Sequence, residues 1–307
     1  MIAKILPLIV AFLAVYGLKR ILKRIGVLKK EYEDSISKLI SKLVLWIVAP
    51  VVIAKSLAQA TVTLNLLYLP VIAILAVSSL LLIGYALSYV LKLKGKTRGS
   101  FIIAFPTLEG GTVGYAFMLA AFGELGLSRI VLFDFGNALF EFSAIYFIAV
   151  MLGKNAEEKT TVVQQLIKLL KTPVVLAIPA GLLLNVAHVQ IPALYGIVDV
   201  MGIVLTFLVM AFLGLEFEPR ASSFKLPVIT LALQSASSVI VGFGLAWLFG
   251  LQGMERAAVI IGTCLPTSIF GLLFAKENGL DTKFMADLLA LGLPFSFVFL
   301  TVLLKFI

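Results

Sequence analysis

Ten apolar segments, each about the length of a membrane-spanning helix, follow one another along the chain. One crossing takes ~20 residues. Only 13% of the residues are charged and the mean hydropathy is +1.12, whereas soluble domains carry roughly 25% charged residues. The sequence therefore predicts an all-α membrane protein of ten transmembrane helices without a separate soluble domain. The segments are Ile2–Leu18, Ile36–Ala58, Leu67–Leu91, Gly99–Phe122, Ser128–Met151, Pro173–Ala187, Leu194–Leu215, Leu226–Phe249, Arg256–Ala275 and Phe284–Lys305.

The net charge of +9 is concentrated in alternate loops. Basic residues crowd the loops after the first and third segments, as in Lys19, Arg20, Lys23 and Arg24 and in Lys92, Lys94, Lys96 and Arg98. Cytoplasmic loops of membrane proteins are enriched in lysine and arginine. We therefore expect a multi-pass protein of the plasma membrane with both termini outside, in contact with the lipid bilayer and not with nucleic acid.

The fourth segment, Gly99–Phe122, cannot be one continuous helix. Pro106 removes a backbone donor and clashes with the preceding turn, and paired Gly110 and Gly111 hold helical geometry poorly. The carboxyl group of Glu109 is costly at bilayer depth unless it has a partner or a function. Freed backbone groups are tolerated there only inside protein or beside a water-filled cavity. The segment predicts a broken helix with a binding site at the break.

The two halves of the chain repeat one another. Several residues of the fifth segment and the turn before it recur 153 positions later: Glu124 and Glu277, Gly126 and Gly279, Asp134 and Asp287, Phe142 and Phe295, Ser143 and Ser296. Five spans is an odd number, so the second copy is inserted upside down. We predict inverted five-helix repeats over residues 1–152 and 153–307. Inverted repeats with interrupted segments are typical of secondary transporters, whose substrate is held where the breaks meet.

The second interruption lies in the ninth segment, at Leu265-Pro-Thr. Hydroxyls and freed amides are expected there, and the N-terminus of a half-helix carries partial positive charge that suits carboxylates. A small organic anion is the predicted substrate. The predicted substrate-binding residues are Pro106, Thr107, Glu109, Gly110, Gly111, Asn137, Cys264, Pro266, Thr267 and Ser268. The eighth segment offers Gln234, Ser235, Ser237 and Ser238 as weaker candidates, since small polar residues also serve close helix packing.

Ion coupling is assigned first to Glu109, because burial favours a neutral carboxylic acid that can take up and release a proton. A Glu109 paired with a fixed cation is the alternative. Lys55, deep in the second segment, could pair with Glu109, attract a substrate carboxylate, or extend to the outer interface. Asp134 and Glu141 share a helical face with Asn137 and could line a hydrated path, bind a cation or bond neighbouring helices.

Other classes of protein are disfavoured. Cys264 is the only cysteine and His188 the only histidine, so neither a thiolate metal site nor a Ser/His or Cys/His catalytic pair is available. The sequence contains no nucleotide-binding loop, so ATP is not the expected energy source. The selectivity filter of a channel is built from rings of subunits or carbonyl groups, whereas an inverted repeat indicates a transporter with alternating access. No cofactor or metal is expected beyond a proton or Na⁺ as the coupling ion.

The chain resembles the auxin efflux carrier family, the PIN-like transporters that include bacterial malate and malonate permeases. The resemblance covers nearly the whole chain. It rests on four stretches: Glu109-Gly-Gly-Thr-Val-Gly-Tyr-Ala with Ala121-Phe-Gly-Glu, Leu132-Phe-Asp-Phe-Gly-Asn-Ala, Leu213-Gly-Leu-Glu-Phe, and Leu265-Pro-Thr with Ala275-Lys-Glu-Asn-Gly-Leu-Asp. The related bile-acid and sodium-symporter group shares the architecture and supplies the alternative, a sodium-coupled symporter of organic anions.

The resemblance implies crossing of the broken helices 4 and 9, an elevator mechanism and a homodimer. A scaffold would comprise residues 1–60 and 172–218, and a transport domain residues 66–152 and 225–307. Two departures from the family pattern stand out. Glu109 occupies the position of the family's asparagine, and Ala116 that of its proline. A carboxylate at Glu109 would repel an anionic substrate unless it is protonated or neutralised.

Overall fold

The computed structural model describes residues 2–59, 68–153, 163–164, 167, 170–189, 192–216 and 225–307. Within these ranges the chain is helical and contains no β-strand. The α-helices are α1 (Ile2–Arg24), α2 (Lys30–Leu43), α3 (Ala49–Ala58), α4 (Tyr68–Val90), α5 (Gly95–Ala104), α6 (Tyr115–Phe140), α7 (Tyr146–Leu152), α8 (Pro173–Val186), α9 (Pro192–Glu216), α10 (Lys225–Leu248), α11 (Gly253–Thr263), α12 (Ile269–Glu277) and α13 (Thr282–Leu303). Wider π-helical turns occupy Val44–Val48, Gly110–Gly114 and Glu141–Ile145.

Four helical runs among the described residues are long and apolar enough to cross a membrane: Tyr68–Val90, Gly110–Leu152, Lys225–Leu248 and Thr282–Leu303. Shorter apolar helices account for parts of the remaining predicted segments. The all-helical membrane architecture is therefore as predicted, while the number of ten transmembrane helices and the inverted relation of the two halves stay predictions. Residues 60, 66, 67 and 218, which delimit predicted domains or segments, lie outside the described residues.

A glycine divides the longest run. Within α6, Gly123 has φ 67° and ψ −157°, a backbone conformation that other residues rarely adopt. The chain turns tightly after Gly123. The turn brings Gly126 so close to the preceding helix that an added Cβ would lie 2.8 Å from the Met118 carbonyl oxygen. The turn falls between Phe122 and Ser128, where the sequence predicts the fourth segment to end and the fifth to begin.

The chain folds into two compact units. Unit 1 comprises Met1–Thr63, Tyr115–Ser128 and Lys171–Glu218. Its helices α3 and α8 pack closely at Gly181, where an added Cβ would lie 2.6 Å from the Ala54 carbonyl oxygen. The C-terminal carbonyls of α3 are bonded by the side chain of Asn185, which donates to Leu57 O at 3.1 Å and Ala58 O at 2.7 Å.

Unit 2 comprises Leu64–Gly114, Arg129–Leu170 and Pro219–Ile307. Helix α10 packs against α4, α11 and α13 in this unit. The backbones of α4 and α6 approach so closely that a Cβ on Gly136 would lie 2.1 Å from the Pro70 carbonyl oxygen. This unit contains both predicted breaks, and its tight helix packing positions them.

Candidate functional site

The first break separates α5 from the π-turn at Gly110–Gly114. Helix α5 ends at Ala104, two residues before Pro106, and so leaves carbonyl groups without helical partners. Gln234 of α10 donates from Nε2 to Ala104 O at 3.1 Å and to Phe105 O at 3.4 Å. Thr267 Oγ1 donates to the same Ala104 carbonyl at 3.1 Å. The freed carbonyls of the break are therefore bonded by side chains.

The second break separates α11, which ends at Thr263, from α12, which begins at Ile269. Pro266 lies between them. The two breaks meet in an antiparallel bridge between Leu108 and Thr267. We call residues 105–109 and 264–268 together the crossing. The predicted interruptions of the fourth and ninth segments are thus present, and they pair with each other.

Backbone hydrogen bonds join the two interrupted segments of the crossing. Glu109 N donates to Pro266 O at 2.9 Å, and Ser268 N donates to Thr107 O at 3.0 Å. The sequence predicts freed amides at the second break: the Ser268 amide is bonded to the first break, whereas the Ile269 amide donates to the side chain of Glu109. The interrupted backbones satisfy each other, as buried polar groups must, so the Ser268 amide is already occupied.

Glu109 is buried at the N-terminus of α12. Its Oε2 accepts from the backbone N–H of Ile269 at 2.8 Å, and its Oε1 accepts from Thr112 Oγ1 at 2.7 Å. The first N–H groups of a helix have no intrahelical partner and carry partial positive charge. The protein therefore places one of its own carboxyl groups where the sequence predicts a carboxylate of the substrate.

The polar face of α6 lies against the first break. Asn137 donates from Nδ2 to Leu108 O at 3.2 Å and to Asp134 Oδ1 at 2.9 Å. The Asp134 carboxyl group lies over Gly110, where an added Cβ would be 1.9 Å from Asp134 Oδ1. Glycine at this position is what admits the carboxyl group, so Gly110, Asp134 and Asn137 are brought together as predicted residues of one site.

Glu141 is the third acidic residue of this group. It begins the π-turn Glu141–Ile145 and is only 3% exposed. The charges of Glu109 and Asp134 act on it, and the Ser268 hydroxyl interacts with its carboxyl group. Among the described residues, Glu141 Oε1 has no hydrogen-bond partner. Glu141 is therefore a buried acid surrounded by other acids.

A small, partly open cleft adjoins the second break. Its polar lining includes the hydroxyl of Ser238, which is buried and has no hydrogen-bond partner among the described residues. Stacked rings of Phe295 and Phe299, with centroids 5.4 Å apart, form part of its apolar lining. The lining residues are Leu231, Gln234, Ser235, Ser238, Cys264, Leu265, Pro266, Phe295, Ser296 and Phe299.

Comparison with known proteins identifies the family. The Membrane transport protein family matches residues 1–304. The chain belongs to this family. It is also 24% identical over 288 residues to the uncharacterized transporter MJ1031 of Methanocaldococcus jannaschii, covering 89% of each chain. The resemblance to PIN-like carriers is confirmed, and the protein is a membrane transport protein and not an enzyme.

Within this membrane transporter, the structure places two acidic side chains beside Lys55. Lys55 is 7% exposed and pairs with Glu124 at 2.5 Å and with Asp199. All three residues belong to unit 1, on α3, α6 and α9. Pairing with Glu109 was one of three roles that the sequence left open for Lys55. Lys55 does not extend to the surface, and its ammonium group is neutralised by two carboxylates.

Some residues of the site were missed or underrated in the sequence. Thr112 was not singled out, although a hydroxyl three residues after a carboxylate on a helical turn is within bonding reach. Gln234 was a weak candidate, and its bonds to the first break show a positioning role. Ser296, which lines the cleft, was noted in the sequence only as the repeat partner of Ser143. Glu124 and Asp199 gave no signal that they would bind Lys55.

Proposed function

We propose that the protein is a secondary active transporter that moves small organic anions across the plasma membrane. Transport proceeds by elevator-type alternating access and is coupled to protons through Glu109. The observation that carries the proposal is the Glu109 carboxyl group bound to the Ile269 N–H at the crossing. This helix terminus binds a carboxyl group in the present state, which supports carboxylates as the substrate class.

A substrate carboxylate competes with Glu109 for this donor. Two carboxylates cannot share one N–H without strong repulsion in a buried site. Protonation removes the negative charge of Glu109 and weakens its bond to Ile269 N. The substrate anion then takes the N–H, and its charge replaces that of Glu109. One proton therefore accompanies each anion through the crossing. This gives a function to Glu109, which occupies the position of the family's asparagine.

The division into units supports the elevator. We assign residues 1–60 and 172–218 to the scaffold that forms the homodimer contact, and residues 66–152 and 225–307, which contain the crossing, to the moving transport domain. These roles rest on the family resemblance and on the placement of both breaks in one compact unit. Ten crossings as inverted repeats, with both termini outside, complete the proposed topology.

Sodium coupling is the second candidate. Na⁺ is a hard cation that favours oxygen ligands, and two buried oxygens, Asn137 Oδ1 and Glu141 Oε1, have no partner among the described residues. The same part of the chain contains no group of three or more histidine, cysteine or acidic residues spaced to hold a metal ion. Proton coupling is therefore the preferred form.

Uptake of radiolabelled malonate by proteoliposomes tests the proposal. We expect uptake that depends on the protein and is accelerated by an inwardly directed proton gradient. Glu109→Gln should abolish this acceleration, whereas Glu277→Gln, exposed at the far end of α12, should retain it. Acceleration by a sodium gradient alone would favour the second candidate. Equal proton-driven uptake by wild type and Glu109→Gln would contradict the coupling role of Glu109.

A further inference from the structure

We propose that Glu141, with Asn137 beside it, is the site that holds the proton in the state observed, while Glu109 is ionised in that state and is protonated only when the substrate displaces it. This inference rests on the proposed function, because it divides the coupling between Glu109 and Glu141. It assigns Glu141 a proton-binding role distinct from that of Glu109. The chemistry is a simple protonation. A carboxylate oxygen of Glu141 takes up a proton from the water on one side of the membrane, and the proton is released to the water on the other side.

Glu109 has the bonding pattern of a carboxylate. Both of its oxygens accept hydrogen bonds, from Ile269 N and from Thr112 Oγ1. An ionised carboxyl group accepts on both oxygens, whereas a protonated one needs an acceptor for its O–H. Hydrogen bonds and a helix N-terminus both stabilise the charged form. The geometry therefore favours an ionised Glu109.

Glu141 has the opposite surroundings. The charged groups that act on it are the carboxyl groups of Glu109 and Asp134, and Ser268 contributes a hydroxyl. The side of its turn that meets α12 is apolar, where Phe142 contacts the rings of Phe270 and Phe274. No ion pair of Glu141 with lysine, arginine or histidine occurs in the part of the chain that the structure describes. An ionised carboxylate here would be both desolvated and repelled.

Asn137 offers an acceptor for the proton. Its Nδ2 donates to Leu108 O and Asp134 Oδ1, and these two acceptors fix the orientation of the amide. Asn137 Oδ1 is therefore left without a partner among the described residues, and the side chain is 2% exposed. Asn137 precedes Glu141 by four residues, so the two side chains share one helical face. A neutral Glu141 supplies the O–H donor that this oxygen lacks.

The local backbone is consistent with a functional position. Glu141 opens the π-turn Glu141–Ile145 between α6 and α7. Single π-helical turns within α-helices occur frequently at functional sites. The turn interrupts the α-helical ladder directly after the acidic face of α6, at the residue to which the proton is assigned.

Infrared difference spectroscopy of the purified protein tests the assignment without a substrate. A buried protonated carboxyl group gives a C=O stretching band separate from the carboxylate bands. We expect this band in wild type at neutral pH, its loss in Glu141→Gln, and its retention in Glu109→Gln. Both substitutions keep the size and shape of the side chain, so they form a matched pair. Persistence of the band in Glu141→Gln, or its loss only in Glu109→Gln, would overturn the inference.

Malonate uptake separates this inference from the proposed function. In Glu141→Gln the ratio of uptake with a proton gradient to uptake without one should fall to unity. If wild-type proteoliposomes take up no malonate while the infrared band disappears in Glu141→Gln, the proton site stands and the anion-transport proposal fails. If wild type shows gradient-driven uptake and Glu141→Gln keeps the same ratio, the proposed function stands and the proton site is refuted.

Discussion

The two units bury charge in contrasting ways. In unit 1, Lys55 is enclosed between Glu124 and Asp199, so each ion has an opposite charge beside it. In unit 2, Glu141 is buried beside the carboxyl groups of Glu109 and Asp134, and no lysine or arginine forms an ion pair with Glu109 or Glu141 in the described ranges. Opposite charges stabilise one another in the ionised state, whereas like charges favour protonation of one member.

This difference indicates which carboxyl groups can couple transport to the binding of a proton. A carboxylate neutralised by a lysine has little reason to bind a proton, and its removal should mainly affect stability. A carboxyl group without a cation changes its protonation state at little structural cost. We therefore assign the Lys55 cluster, meaning Lys55 with Glu124 and Asp199, to the stability of unit 1. Glu109 and Glu141 are assigned to proton coupling.

The largest effect on stability is expected from Lys55→Met. Removing the lysine leaves Glu124 and Asp199 without their shared cation, and loss of one partner of a buried ion pair costs about 3 kcal/mol. Denaturant unfolding in detergent micelles measures the free energy of unfolding. Glu141→Gln is the matched case in unit 2 and should leave this free energy unchanged. Equal losses for the two variants would remove the distinction between the units.

A smaller effect, about 2 kcal/mol of destabilisation, is expected from Gly110→Ala. The added Cβ would meet Asp134 Oδ1 at 1.9 Å and force the carboxyl group off Asn137. Gly111→Ala is the control, because no atom lies within 4 Å of its added Cβ. The two variants should differ in unfolding free energy and in malonate uptake. If Gly111→Ala were the more damaging, the placement of Asp134 over Gly110 would be wrong.

The breaks could be predicted from the sequence because they have local causes. Pro106, Pro266 and the paired glycines weaken the helix at the positions where they stand. The partners of the buried charges could not be predicted in the same way. Glu109 meets Ile269, 160 residues later, and Lys55 meets Asp199, 144 residues later. Such contacts follow from tertiary packing, which single-sequence patterns do not encode.

Glu33 extends the comparison to a paired carboxylate in the predicted cytoplasmic loop. Burial raises the pKa of Glu33, but Lys19 at 2.8 Å and Lys23 at 2.5 Å outweigh it and hold the pKa below its ordinary value of 4.5. Because the folded-state pKa is depressed, the stabilisation is present above pH 4.5 and is lost as the pH falls through the folded-state value.

Glu33→Gln should therefore lower the free energy of unfolding by about 1.5 kcal/mol at neutral pH. The loss should disappear in acid, where wild-type Glu33 is itself protonated. Unfolding measured at a series of pH values checks the sign. A variant less stable than wild type by the same amount at acidic and neutral pH would contradict the role of charge in this pair.

The smallest effect is expected from Asp199→Asn. Its side chain is 59% exposed, so water screens its attraction to Lys55. Glu124, with a side chain 28% exposed, still neutralises the lysine. A loss of about 0.5 kcal/mol in the free energy of unfolding is expected, with a larger loss for Glu124→Gln. The reverse order would show that Asp199 is the principal partner of Lys55.

The most direct test of the central claim is a cryo-electron-microscopy map of the protein with malonate at mildly acidic pH, using a bound antibody fragment for alignment. We predict breaks at residues 105–109 and 264–268, a malonate carboxylate bound to the Ile269 N–H, and Glu109 displaced from it. Continuous helices through either segment, or malonate bound elsewhere with Glu109 still on Ile269, would contradict this prediction.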